Sequence, residues 1–184
     1  LLPEQRTPPC AAAPAADGGA PGAETNTPTI LTSTAGSTNR ILYISGLTNG
    51  ALQRVTIRGG KGSTSGIGGA VNGAGIYVEA SSNLTIAACV ISNNLATGSQ
   101  GATTYGGGIC LVGSEVTLTG CHVISNTINA YNSPTYGGGI HLASGRLAIS
   151  NSVIRDNRAG GGTGSGPQQK YGTGGGVSIA GGAL

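Results

Sequence analysis

The sequence predicts an all-β protein: a right-handed parallel β-helix (solenoid) of about four to five coils, truncated at its C-terminus. Two observations predict this fold. The chain repeats a unit of roughly thirty residues, and inside each unit aliphatic residues alternate with polar ones until Gly, Ser or Asn interrupts them. Helical repeats would instead need apolar residues at helical spacing over about ten or more positions. Short strands joined by turns, stacked coil upon coil, satisfy both observations.

The repeat is most regular around its aliphatic residues. Successive units begin 33, 31 and 37 residues apart, at Ile76, Ile109, Ile140 and Val177. A second aliphatic strand follows seven residues after the start of a unit, as from Ile109 to Val116. The length differences fall mainly in the segments 95–104, 127–135 and 158–170. We therefore expect two or three short strands in each unit, with these variable segments as loops on one side of the stack.

Alternation assigns each strand residue to a face of its sheet. Ile109 and Leu111 are expected to point inward, and the outward column then holds one residue from each unit: Tyr77, Cys110, His141 and Ser178. Stacked coils place equivalent residues about 4.8 Å apart, so the aliphatic side chains form ladders that no single coil could bury alone. Connections between parallel strands of one sheet are right-handed, which predicts right-handed coils.

Composition and charge limit the partners of the chain. It has 184 residues, 36 of them Gly, and a net charge of +3 without a basic cluster, so no nucleic-acid partner is predicted. No apolar run reaches the roughly 18 residues of a membrane span. Residues 1–27 are rich in Pro, Ala and Gly and are predicted to be a flexible segment, whereas 28–184 are predicted to form the β-helix, with clear repeats from residue 72.

The two ends of the sequence carry an expectation of their own. The chain begins with Leu1 rather than Met and stops inside a repeat at Leu184, as expected of a fragment or a processed piece. An uncapped last coil would expose unpaired strand groups. We therefore expect self-association through that end.

Two short motifs recur in the units. Three glycines precede the first aliphatic residue, as at 106–108, 137–139 and 174–176, and an aliphatic-x-x-Asn motif ends at Asn94, Asn126 and Asn157. These units resemble the parallel β-helix repeats of bacterial surface proteins and are most similar to polymorphic outer-membrane protein repeats, with Ile or Val where that family has Phe. The resemblance implies a secreted or cell-surface protein, in the bacterial outer membrane or outside the cell, with an adhesin-like or passenger-like role.

The acidic residues do not form a catalytic pattern. Glycoside hydrolases use two carboxyl groups about 5–10 Å apart. Only Glu79, Glu115 and Asp156 lie within the repeats, in three different columns. Glu115 aligns with Arg146 of the next unit, which predicts a surface ion pair. No catalytic residue and no cofactor are predicted.

The Asn residues and the cysteines are expected to stack. Each amide of Asn94, Asn126 and Asn157 can donate and accept, so a structural ladder is predicted rather than a ligand site. Cys89 and Cys121 share an inward column, where a ladder of thiols and a disulfide are both open. Cys110 and His141 are neighbours on the outer face. Two ligands without a third do not favour a metal site, and none is predicted.

Three tyrosines define a candidate binding edge. Tyr105, Tyr136 and Tyr171 each precede a glycine-rich turn beside the variable segments. They are expected either to cover the glycine backbone or to contact the sugar rings of a polysaccharide or cell-surface glycan.

Three functions follow from the sequence. The first is a non-catalytic, exported β-helix scaffold that presents variable loops. The second is a fragment of a polysaccharide lyase or glycoside hydrolase whose catalytic coils lie outside this chain. The third is a carbohydrate-binding module that uses the tyrosine edge.

Overall fold

The computed structural model describes residues 29–34, 38–63, 71–99, 101–130, 133–161 and 172–184. In these ranges the chain is all-β: parallel strands stack as a β-solenoid, and the described residues contain no helix. The predicted fold class is confirmed. The right-handed sense of the coils and their number stay predictions.

Twenty-two short strands follow one another along the described chain. In order they are β1 (Thr29–Thr32), β2 (Leu42–Ser45), β3 (Ala51–Gln53), β4 (Val55–Arg58), β5 (Lys61–Ser63), β6 (Val71–Asn72), β7 (Ile76–Glu79), β8 (Leu84–Ala87), β9 (Val90–Ser92), β10 (Leu95–Gly98), β11 (Thr104–Tyr105), β12 (Ile109–Val112), β13 (Ser114–Thr119), β14 (His122–Ile124), β15 (Thr127–Ala130), β16 (Thr135–Tyr136), β17 (Ile140–Leu142), β18 (Gly145–Ser150), β19 (Val153–Arg155), β20 (Arg158–Gly161), β21 (Gly172–Thr173) and β22 (Val177–Ile179).

Each coil contributes one strand to each of five parallel sheets. In the order in which a coil visits them, sheet I is β2-β7-β12-β17-β22, sheet II is β3-β8-β13-β18, sheet III is β1-β4-β9-β14-β19, sheet IV is β5-β10-β15-β20 and sheet V is β6-β11-β16-β21. All neighbouring strands are parallel, as shown by Ile76, Ile109, Ile140 and Val177, which lie side by side in sheet I. Equivalent residues of successive coils are therefore stacked in register.

The main core lies between sheets I, II and III. Its side chains are the alternate aliphatic residues of these strands, such as Ile76, Ile109 and Leu118, which are fully buried. Fully burying one such side chain stabilises the fold by about 1.5–3 kcal/mol. Such a side chain makes most of its contacts with the coils above and below. It is therefore buried only when the coils are stacked.

A second and thinner core lies between sheets IV and V. Among the described residues its apolar cluster consists of Val71, Ala74, Ala96 and Ile128, two of which are alanines. The two sheets approach so closely that a Cβ on Gly98 would lie 2.2 Å from Thr104 Oγ1. This narrow lobe is one physical reason for the high glycine content, because larger side chains would force the sheets apart.

The structure corrects the predicted number of strands. Each complete coil has five strands rather than two or three, because the variable segments begin as strands of sheet IV and end at the strands of sheet V. Sequence alternation is weak there: Leu95–Gly98 and Thr127–Ala130 bury only small or single aliphatic residues. Short, small-residue strands give little hydrophobic signal.

The length variation lies at one corner of the coil. The last strand residue of sheet V lies 11, 10, 9 and 15 positions after the first strand residue of sheet IV in successive coils. These pairs are Lys61 and Asn72, Leu95 and Tyr105, Thr127 and Tyr136, and Arg158 and Thr173. The other steps between sheets differ by at most one residue, as between sheets I and II. The variation in length is therefore confined to the connection between sheets IV and V.

Candidate functional site

The Asn column lies where the two lobes of the coil meet. Asn94 Nδ2 donates to Asn126 Oδ1 across 2.9 Å, and Asn126 Nδ2 donates to Asn157 Oδ1 across 3.0 Å. The same Oδ1 atoms accept the backbone N–H of the preceding Asn, and each Nδ2 also donates to a backbone carbonyl, as from Asn126 to Ile91 across 2.9 Å. These hydrogen bonds leave no free donor on the buried amide of Asn126, so this column binds the coils together and offers nothing to a ligand.

The preceding corner of the coil, between sheets II and III, carries a ladder of the same kind. The backbone N–H of Cys89 donates to Cys121 Sγ, and that of Cys121 donates to Ser152 Oγ across 3.0 Å. Both thiols in turn donate to carbonyl oxygens, including those of Ala87 and Thr119. Cys89 and Cys121 are buried free thiols with partners, and their role is structural.

The glycine triplets shape the turn from sheet V to sheet I. Gly106 begins this turn with φ +58°, and a Cβ there would lie 2.2 Å from the carbonyl oxygen of Ile109. The third glycine packs against the Asn column: a Cβ on Gly108 would lie 2.7 Å from the carbonyl oxygen of Gly139 and 3.0 Å from Asn126. These close approaches produce a tight bend between two sheets.

The outer side of this bend is the candidate site, here called the crease. Sheet V contributes its outward column, Asn72, Tyr105, Tyr136 and Thr173, and sheet I contributes Tyr77, Cys110, His141 and Ser178. The residues of the sheet I column alternate with buried aliphatic residues. As predicted, they therefore point away from the main core. Three members of this column, Cys110, His141 and Ser178, are nevertheless buried on the outer side.

Tyrosine rings cover the buried members of the crease. The rings of Tyr105 and Tyr136 are stacked, with centroids 5.5 Å apart and planes 16° apart, and the Tyr105 centroid lies 4.7 Å from that of His141. Ring faces that pack against one another are not open to a sugar, which would meet ring edges and hydroxyl groups instead. Tyr171, the third predicted tyrosine, lies outside the described residues.

His141 and Cys110 are neutral, buried groups in the crease. His141 is 1% exposed, and burial lowers its pKa from 6.5 to about 4. Its Nδ1 has no hydrogen-bond partner among the described residues. Cys110 is also 1% exposed, and burial raises the pKa of its thiol to about 12. An imidazole without a partner is unusual, because buried polar groups are nearly always hydrogen-bonded.

Sequence reasoning missed a polar cluster at the N-terminal end of the same column. Tyr43 and Tyr77 are stacked with ring centroids 5.6 Å apart, and the Arg40 guanidinium lies 4.7 Å from the Tyr77 centroid. Glu79 accepts hydrogen bonds from both tyrosine hydroxyls, 2.8 Å from Tyr77 Oη, and from Ser45. The signal was present, since Leu42-Tyr43-Ile44 aligns with Ile76-Tyr77-Val78.

These contacts shift the ionisation of the cluster. The hydroxyls of Tyr43 and Tyr77 lower the pKa of Glu79, because they donate hydrogen bonds to the carboxylate. Burial, followed by the hydrogen bond to Glu79, raises the pKa of Tyr77 to about 12. Glu79 is therefore a stable carboxylate rather than a proton donor at neutral pH.

The two other acids among the described residues lie apart from Glu79. Asp156 forms an ion pair with Arg155 on the surface. Glu115 lies beside Arg146 in register, as predicted, but the two form no ion pair in the structure, and both are exposed. Within the described ranges no three His, Cys, Asp or Glu side chains gather as metal ligands.

Comparisons with family models, curated proteins and solved structures returned no match for this chain. In the described part of the chain no helix is long and apolar enough to cross a membrane.

Proposed function

We propose that this chain is a non-catalytic scaffold from a secreted or cell-surface protein, with an adhesin-like or passenger-like role, and that it presents the segments between sheets IV and V. One observation carries the proposal. The sequence spacing from sheet IV to sheet V varies from 9 to 15 positions, whereas each of the other spacings between sheets varies by at most one position. A solenoid that tolerates insertions at one corner displays a row of variable segments on one side.

Side-chain ladders supply the physical reason for this difference between corners. At the corners before and after sheet III, side chains such as Cys121 and Asn126 accept backbone N–H groups from the coil below. An insertion there would leave these buried groups unpaired, at a cost of about 1–3 kcal/mol each. Loops free of such constraints are the usual carriers of binding function in a rigid fold.

The carboxylates of the described coils favour a scaffold over a hydrolase or lyase fragment. Glu79 is held by two tyrosines and Ser45, and Asp156 pairs with Arg155. Neither has a second carboxylate beside it that could share acid and base roles. The enzyme alternative therefore rests on coils outside this chain.

Matched insertions test the scaffold proposal. Gly101 lies between sheets IV and V and Gly113 between sheets I and II; both have positive φ and open space where a Cβ would lie. We expect a ten-residue epitope after Gly101 to leave the thermal unfolding midpoint nearly unchanged and to bind its antibody. The same epitope after Gly113 should lower the midpoint clearly, because it displaces Ser114 from the Val112 carbonyl and from the buried backbone N–H of Ser81. Equal loss of stability at both sites would contradict the proposal.

Location and glycan binding need separate measurements. Antibody labelling of intact, unpermeabilised cells of the native producer is expected to detect the epitope, and labelling only after lysis would count against export. A glycan array separates the scaffold from the carbohydrate-binding alternative. Binding that is lost in a Tyr105→Ala, Tyr136→Ala, Tyr171→Ala variant with intact fold would establish the tyrosine edge as a sugar site.

A further inference from the structure

We propose that Cys110 and His141 together bind one soft monovalent metal ion, Cu(I) in chemical class, inside the crease. The proposal concerns a site separate from the variable segments and does not depend on the scaffold function.

Register places the two side chains next to each other. Cys110 of β12 pairs with His141 of β17, and both alternate with buried core residues, so both project from the same outer face of sheet I. Neighbouring strands are about 4.8 Å apart. A thiolate sulfur and an imidazole nitrogen on adjacent strands can therefore flank a single ion from two sides.

Unused bonding capacity distinguishes this pair from the other polar ladders. His141 Nδ1 is buried and has no partner among the described residues. Cys110 also has no hydrogen bond there, whereas the thiols of Cys89 and Cys121 donate to carbonyl oxygens. Leaving a buried polar group unpaired costs about 1–3 kcal/mol. A bound ion would satisfy both groups at once.

The charge of the two ligands and their preference for soft metals indicate which class of ion fits the site. Thiolate and imidazole are ligands for soft and borderline metals, and Cu(I) accepts two-coordination, whereas structural zinc sites use four protein ligands. The described residues offer no third His, Cys, Asp or Glu at this place. A monovalent ion with one thiolate and one neutral imidazole carries no net charge, which suits two side chains that are each 1% exposed.

Binding requires one proton to leave the site. The Cys110 S–H bond breaks, a sulfur–metal bond forms and the proton passes to solvent; no electron is transferred. His141 would bind through an unprotonated ring nitrogen, the form in which imidazole serves as a metal ligand. The half-buried Tyr105 ring, 4.7 Å from His141, must swing outward to admit the ion.

The test uses the whole chain with Cu(I) supplied anaerobically from a chromophoric chelator. A Cys10→Ser, Cys89→Ser, Cys121→Ser variant leaves Cys110 as the single thiol. Ser at positions 89 and 121 follows the chain's own choice of Ser152 in that column. We expect one equivalent of Cu(I) per chain and a shift of the His141 ring nitrogen resonances. Adding Cys110→Ser or His141→Gln should weaken binding at least tenfold.

Two outcomes would overturn the site: no binding above the chelator, or an unchanged affinity after His141→Gln, which would mean that the thiol binds alone. A second comparison guards against poor folding of the triple variant. In the otherwise unchanged chain, Cys110→Ser is expected to abolish the binding of one equivalent of Cu(I), the equivalent that also requires His141. Cys121→Ser should leave that equivalent bound. Loss of the same equivalent in both variants would also refute the proposal.

Discussion

Asn94 and Asn126 are joined twice through one oxygen atom. Asn126 Oδ1 accepts the side-chain Nδ2 of Asn94 at 2.9 Å and its backbone N–H at 3.1 Å. Each coil thus satisfies a buried backbone donor of the coil before it with a side chain of its own. Because a missing partner would leave buried groups unpaired, the ladder fixes the register of neighbouring coils as well as their distance.

Replacing Asn126 by Ala should therefore destabilise the stack strongly. The substitution leaves Asn94 N–H without its acceptor, removes one of the two hydrogen bonds of Asn94 Nδ2 and removes the donor to the Ile91 carbonyl. We expect a loss of about 3–5 kcal/mol in the free energy of unfolding. Urea titration followed by circular dichroism measures it. Asn129→Ala, an exposed Asn on the next strand, is the matched control and should change stability by less than about 0.5 kcal/mol.

A glycine comparison tests the close contact between the triplets and the Asn column. In Gly108→Ala the new Cβ would lie 2.7 Å from a carbonyl oxygen and 3.0 Å from Asn126, so we expect a loss of about 2 kcal/mol. Gly176 holds the equivalent position in the last described coil, where a Cβ would meet only Ile154 at 3.6 Å. Gly176→Ala should be neutral or slightly stabilising. Equal effects of the two substitutions on the denaturation midpoint would argue against this packing.

The buried imidazole predicts a specific loss of stability in mild acid. The pKa of His141 is lowered to about 4 in the fold and is 6.5 when exposed, so between these values the unfolded chain binds the proton more readily. The free energy of unfolding therefore has its full value, as far as His141 is concerned, above about pH 6.5. It falls by up to about 3 kcal/mol as the pH decreases towards 4. Burial raises the pKa of the Cys110 thiol, which lies beside His141 in register, to about 12, so this thiol stays neutral in this range. The rings of Tyr105 and Tyr136 pack against the imidazole.

Two histidine variants isolate this contribution. His141→Gln should flatten the fall in the free energy of unfolding between pH 6.5 and 4, measured by chemical denaturation. His122→Gln removes the exposed histidine of β14 and should leave the fall in place. A pH profile that is the same in wild type and His141→Gln would contradict a buried neutral imidazole.

Sequence alone could predict the parts of the fold that depend on hydrophobic alternation. Ile109, Leu111 and Val116 alternate clearly, and the Asn column recurs at a fixed spacing. Sheets IV and V were missed because their core is made mostly of Ala, Gly and Thr, with single larger residues such as Val71 and Ile128, and so has no clear periodic pattern. The burial of Cys110 and His141 was missed because the alternation of residues along a strand shows only which face of its own sheet each residue lies on. It does not show that the bend after Gly106 brings Tyr105 over the outer face of the next sheet.

The central claim is the parallel, in-register stack, and a methyl NOESY spectrum of the Ile- and Val-labelled chain tests it most directly. The account predicts cross-peaks that connect Ile109 with both Ile76 and Ile140, and Ile140 with Val177, residues that lie side by side in sheet I. Strong Hα–Hα cross-peaks between neighbouring strands, as in antiparallel hairpins, with no contact between Ile76 and Ile109, would contradict it.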